Sequence, residues 1–145
     1  MRAVVQRVKS AELKVNGETV SEIGNGLVVF FGVKTGDTTA QAEYLAKKIA
    51  LLRIFEDENG KMNRSIKEAG GKALFVSQFT LYGDASHGNR PSFTQAARGE
   101  EAEPLYKYAA EKLRSFGVPV RMGVFGADMK ITQVNDGPVT ILLES

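Results

Sequence analysis

A run in mid-chain, Leu74 to Asp84, starts as a buried apolar strand and then sets Ser77, Gln78 and Thr80 where the pattern calls for Val or Ile. Buried hydroxyls and amides cost free energy unless hydrogen-bonded, so a polar cluster at a strand end marks a candidate site. Strand alternation predicts Ser77 and Phe79 on one face, Gln78 and Thr80 on the other. With their backbone N–H groups, these residues could surround a carbonyl and its developing oxyanion. The competing reading is a Ser and a Thr that bond neighbouring backbone. The chain has no cysteine and one histidine, so most nucleophile–base pairs are excluded. Chemistry here would rest on hydroxyls, amides and backbone groups.

Two further segments could contribute. Asn135-Asp136-Gly137-Pro138-Val139-Thr140 is a turn signal first. An X-Pro bond can also be cis for about 0.5–1 kcal/mol, and a cis Gly-Pro would aim consecutive carbonyls one way, as a rigid gate. In Gly123 to Met129, Phe125 between glycines is either a core side chain or a cover for a flat ligand such as a nucleobase. His87 stands in a polar loop with no neighbouring pattern that supports a base role. Asp84, Asp128 and Asp136 show no metal-ligand spacing, and no metal or cofactor is expected.

Elements must position these groups. Arg2 to Val8 reads as a strand, and Glu12 to Val15 and Thr19 to Ile23 flank the hairpin signal Asn16-Gly17. Leu27 to Val33 is a continuous apolar run, hence a central strand covered on both faces. Thr38 with Gln41 forms a capping box for a helix carrying Leu45, Ile49 and Leu52. Arg53 to Phe55 is expected as a strand turning at Asn59-Gly60, and Ser65 to Ala69 as a short helix stopped by Gly70-Gly71. A second long helix is expected over Glu101 to Phe116, with Leu105, Tyr108, Ala109, Leu113 and Phe116 as its stripe. Val120 to Gly123, Met129 to Val134 and Val139 to Leu143 are the last strands expected. This predicts one α+β domain over residues 1–145: a curled, barrel-like, mostly antiparallel sheet with two main helices packed on it.

Composition bounds the function. Nineteen Lys and Arg against 17 Asp and Glu give a net charge of +2, too mild to coat nucleic acid but compatible with gripping one end of it. No apolar run is long enough to span a bilayer, and Met1 to Val8, broken by Gln6 and Arg7, does not read as a secretory leader. A cytoplasmic location and no membrane partner are expected.

Taken together, Gln6-Arg7-Val8, Gly60-Lys61-Met62-Asn63, Ser77-Gln78-Phe79-Thr80-Leu81, Arg90-Pro91-Ser92-Phe93, Ala127-Asp128-Met129 and Val134 to Thr140 resemble the D-aminoacyl-tRNA deacylase family over essentially the whole chain. The Ser-Gln-Phe-Thr strand and the Asn-Asp-Gly-Pro-Val-Thr end are the most specific in combination. The resemblance implies a homodimeric, metal-independent hydrolase acting at the aminoacylated 3′ end of tRNA, on D-amino acid esters and on glycine. It implies active sites at the dimer interface, with Ser77, Gln78, Phe79 and Thr80 as the catalytic strand. Gly137-Pro138, with a cis bond, would reach into the partner's site, buttressed by Arg7. Phe125 and Met129 would hold the terminal adenosine. His87 inherits no role. Competing expectations are a non-catalytic nucleic-acid-binding module of the same fold, and a small-molecule esterase using Ser77 or Thr80 with His87.

Overall fold

The computed structural model describes all residues from Met1 to Ser145. Strand β1 (Arg2–Val15) hairpins into β2 (Glu18–Ile23), followed by β3 (Gly26–Gly32) and helix α1 (Thr39–Leu51). A small hairpin, β4 (Phe55–Glu56) and β5 (Met62–Arg64), leads to β6 (Lys72–Ser77). A 3₁₀ turn (Phe79–Tyr82), helix α2 (Gly99–Ser115), β7 (Val120–Met122) and β8 (Lys130–Glu144) complete the chain. Asn16 and Gly17 both take positive φ, 51° and 81°, as a two-residue hairpin turn requires.

The main sheet runs β2-β1-β3-β6-β7, with β8 on the other side of β1. Pairings of β1 with β2, β3 and β8 are antiparallel, while β3–β6 and β6–β7 are parallel. The sheet is therefore mixed, with antiparallel pairs in the majority. It curls until β2 meets β7, where the Ser21 hydroxyl donates to the Met122 carbonyl at 2.7 Å. The barrel is nearly closed, as the sequence leads one to expect.

Alternation along β3 and β6 divides the core in two. Leu27, Val29, Phe31, Ala73 and Phe75 face the helices, in a cluster of 24 buried residues that includes Leu45, Ile49, Tyr106 and Leu113. Val28, Leu74 and Val76 face the barrel interior with Val8, Leu13 and Ile23. Both faces of the central strands are thus covered, which explains their unbroken apolar runs. Gly26 lets β3 approach β6 closely: a Cβ there would lie 1.8 Å from the Lys72 carbonyl oxygen.

The helix α1 capping box forms as expected. The Thr38 hydroxyl accepts from the Ala40 amide at 3.3 Å, and the Gln41 side chain accepts from the Thr38 amide at 2.8 Å.

Four local expectations are corrected. Residues Ser65 to Ala69 form only a helical turn, since Gly70 and Gly71 cut it short after the Ala69 amide bonds Ser65 O. Helix α2 begins at Gly99, two residues early, with Glu100 and Glu101 stabilising its first turn. Its buried face is Ala102, Tyr106, Ala109, Ala110 and Leu113; Leu105, Tyr108 and Phe116 are only half-buried. Tyr106 points inward among these alanines, where its hydroxyl reaches the Phe75 carbonyl. The strand expected at Arg53 to Phe55 forms over Phe55–Glu56.

The last two expected strands are one. Both halves of β8 pair with β1, Thr140 opposite Gln6 and Asn135 opposite Val8. Between those pairs only Arg7 faces residues 136 to 139, so the Asp136-to-Val139 segment loops out of the strand.

Candidate active site

Strand β6 ends at Ser77, earlier than the sequence pattern suggests. The Gln78 amide still bonds the Phe31 carbonyl at 2.9 Å, and the chain then winds into the 3₁₀ turn. Strict alternation of Ser77 and Phe79 against Gln78 and Thr80 is therefore overturned. Local hydrogen bonds of the turn replace the ladder: Leu81 N to Gln78 O at 3.4 Å and Gly83 N to Thr80 O at 2.9 Å. As at any helical start, the first N–H groups have no partner within the turn. Those of Phe79 and Thr80 find no acceptor elsewhere in the chain. The Thr80 hydroxyl accepts from the Gln78 side-chain amide.

Beside this turn lies a cavity of about 390 Å³, in the size range of small-molecule sites. Ser77, Gln78 and Phe79 form one side; Phe125 and Met129 form another. The start of α2, at Gly99 and Ala102, and the ring of Tyr106 supply the back. Five of the nine expected site residues thus meet in one place, with Thr80 on the same turn. The one carboxylate in the lining, Asp128, is exposed and paired with Lys130 at 2.9 Å.

Tyr106 and the helix start had escaped sequence reading. The available signal was helical spacing: Ala102, Tyr106, Ala109 and Leu113 recur at intervals of four, three and four. Its ring is 1% exposed, and its hydroxyl donates to the Phe75 carbonyl at 2.6 Å. Burial pushes the phenol up to about 12, so it keeps its proton and remains a donor.

Arg7, Gly137 and Pro138 form a second cluster that does not line this cavity. The Gly137–Pro138 bond is cis, and both residues are exposed on the looped-out segment. Arg7 is 5% exposed. Its Nε donates to the Asp136 carbonyl at 3.2 Å and its Nη1 to the Ile54 carbonyl at 2.7 Å. Asp136 also pairs with Arg7 at 3.3 Å and Lys9 at 3.2 Å. The guanidinium thus ties the base of the loop to the segment after α1.

His87 is exposed in the Asp84 loop, with Nδ1 2.6 Å from the Ser86 hydroxyl. It is no part of the cavity lining. Hydrogen bonds from Ser86 hold the Asp84 carboxyl below its usual range. Asp84, Asp128 and Asp136 each serve local partners, and no three metal-ligating side chains converge anywhere in the chain.

The fold is a barrel-like α+β domain with an aromatic-walled pocket beside the Ser77 strand end. The profile of the D-Tyr-tRNA(Tyr) deacylase family matches residues 4–144. A D-aminoacyl-tRNA deacylase of Symbiobacterium thermophilum is 59% identical over 100% of this chain and 96% of its own. One of Thermomicrobium roseum is 58% identical over 100% and 94%. The chain belongs to the D-aminoacyl-tRNA deacylase family.

Solved structures agree in fold. A c-Myc DNA unwinding element binding protein superposes with a TM-score of 0.93 at 44% identity, over 100% of this chain and 99% of that one. A probable eukaryotic D-amino acid tRNA deacylase superposes with a TM-score of 0.83 at 20% identity, over 98% and 97%.

Proposed function

We propose that this protein hydrolyses the ester between a D-amino acid and the 3′-terminal ribose of tRNA, with glycyl-tRNA as a second substrate. The observation that carries the reading is the pairing, in a member of this family, of an aromatic-walled cavity with the unpartnered Phe79 and Thr80 amides. The terminal adenosine lies against Phe125 and Met129, which brings its ribose ester to the Ser77 to Thr80 turn. An aminoacyl ester is already activated. It needs a polarised carbonyl and a positioned water more than a strong nucleophile. The two free amides supply the first, and the vicinal 2′-hydroxyl of the substrate directs the second.

Selectivity comes from a second copy of the chain. Gly137 and Pro138 stand exposed, away from their own cavity, which supports their action in the partner's site. Val134 and Leu142, 54% and 77% exposed on the same strand, are apolar surface that a dimer would cover. The carbonyls of the Gly-Pro segment take the substrate amine and leave no room for an L side chain. A hydrogen passes, so D-amino acids and glycine are admitted. No helix is long and apolar enough to cross a membrane. The cytoplasm, where aminoacyl-tRNA is used, is the proposed location.

The test is deacylation of D-tyrosyl-, glycyl- and L-tyrosyl-tRNA, with sedimentation of the same preparation. Rapid release of D-tyrosine, slower release of glycine, none of L-tyrosine and a dimeric mass are expected. Equal D and L rates would refute the gate. Tight tRNA binding without turnover would replace the enzyme by a nucleic-acid-binding module.

Thr80→Ala should keep activity within about tenfold of the parent, because Thr80 Oγ1 bonds an amide donor and no base that could activate it. Mass spectrometry of quenched reactions checks this, and an aminoacyl ester trapped on Thr80 would overturn it.

A further inference from the structure

The wall that carries Phe125 and the strand end that carries Ser77 are joined at one buried carbonyl. Phe75 O accepts from the Tyr106 hydroxyl at 2.6 Å and from the Gly123 amide at 3.0 Å. Phe75 stands two residues before Ser77, and Gly123 two residues before Phe125. The Tyr106 ring stacks on Phe75 with centroids 5.3 Å apart and planes at 21°. It meets the Phe125 ring at 5.9 Å and 46°. Strand β6, helix α2 and the loop after β7 thus converge on one side chain.

The strand pairing that leads into that loop is short. Strand β7 has three residues, and its register with β6 ends at Phe75 opposite Met122. The Gly123 bond to Phe75 O is the next link. A phenylalanine at position 106 would fill the same space and keep both ring contacts. What it would lose is the hydroxyl's bond to the carbonyl, and a hydroxyl is costly to bury without such a partner. Its presence therefore calls for a reason beyond packing.

Resting on the placement of the adenosine at Phe125 and the ester at the Ser77 to Thr80 turn, we propose that Tyr106 is a positioning residue for the reaction. Its hydroxyl sets the separation between the wall that holds the base and the strand end that holds the ester. Two parts of one substrate are gripped by different elements. The rate then depends steeply on their spacing, while each grip depends on it weakly.

The experiment compares the parent, Tyr106→Phe and Tyr106→Leu in deacylation of D-tyrosyl-tRNA well below their unfolding temperatures. The probe for binding is a non-hydrolysable 3′-amide of D-tyrosine with 3′-amino-3′-deoxyadenosine. Tyr106→Phe should lose about tenfold in kcat with KM and probe affinity within about twofold, since a small misplacement acts on the chemical step. Its Gly123 amide should exchange with deuterium faster. Tyr106→Leu, lacking the ring that backs Phe125, should also weaken probe binding. A Tyr106→Phe kcat within twofold of the parent would overturn the inference. So would parallel losses of kcat and probe affinity, the mark of a purely structural role. A parent protein that does not bind the probe would overturn the cavity assignment and this inference with it.

Discussion

Gly137→Ala is expected to leave a folded protein whose hydrolysis of D-aminoacyl-tRNA has fallen by about two orders of magnitude. Gly137 has a φ of +128°, a conformation that side chains rarely adopt. A Cβ there would lie 2.8 Å from Val139 Cγ2 and 2.9 Å from the Val139 amide nitrogen. One of these is backbone, so the looped-out segment must move. Strain of about 1–3 kcal/mol is local, because Gly137 is exposed and lies outside both core clusters. The fold therefore survives. The carbonyls of the Gly-Pro segment do not keep their aim, and a displacement near 1 Å can cost about 10²-fold in rate. Single-turnover kinetics on D-tyrosyl-tRNA, with circular dichroism to confirm folding, measures the effect. A folded Gly137→Ala dimer with the parental rate and the parental preference for D over L would remove the segment from the mechanism.

A tRNA whose terminal ribose lacks the 2′-hydroxyl should be deacylated at least about a hundredfold more slowly than the normal substrate. The candidate bases near the strand end are few and engaged elsewhere. Thr80 Oγ1 bonds the Gln78 amide. Asp128, the one carboxylate lining the cavity, faces solvent and pairs with Lys130. His87 is held beside Ser86 in an exposed loop. None stands where it could take a proton from an attacking water. A positioned general base contributes about 10²–10⁴-fold, so the group that fills this role is sought in the substrate. The measurement compares D-aminoacyl esters on 3′-terminal adenosine and 2′-deoxyadenosine, with binding checked separately. Equal rates would mean that the protein alone activates water.

Much of this site could be read from the chain. The polar interruption at Ser77 to Thr80 and the Asn-Asp-Gly-Pro signal are local features, and each kept a place in the structure. So did the helix started by Thr38 and Gln41 and the covered strand of Leu27 to Val33, because capping bonds and two-sided burial leave signatures at short sequence spacing. Where the reading slipped, tertiary contact had overridden local pattern. Ser77 ends its strand because the next residues close a 3₁₀ turn under β3, and alternation cannot announce that. Residues 130–134 and 140–144 form one strand only because both pair with β1, a neighbour more than a hundred positions away.

The amino-acid sequence by itself determined the α+β class, the barrel-forming strands, the two helices and the residue types available for chemistry. These follow from periodicity, turn chemistry and composition, which act over a few residues. Only the tertiary structure decided which groups share a space. It placed Phe125 and Met129 against the Ser77 strand end, turned Tyr106 inward to the Phe75 carbonyl, and set Gly137 and Pro138 in a separate cluster with Arg7. The reason is physical: a cavity belongs to no single segment, and its walls are set by how strands and helices pack once their apolar faces have closed.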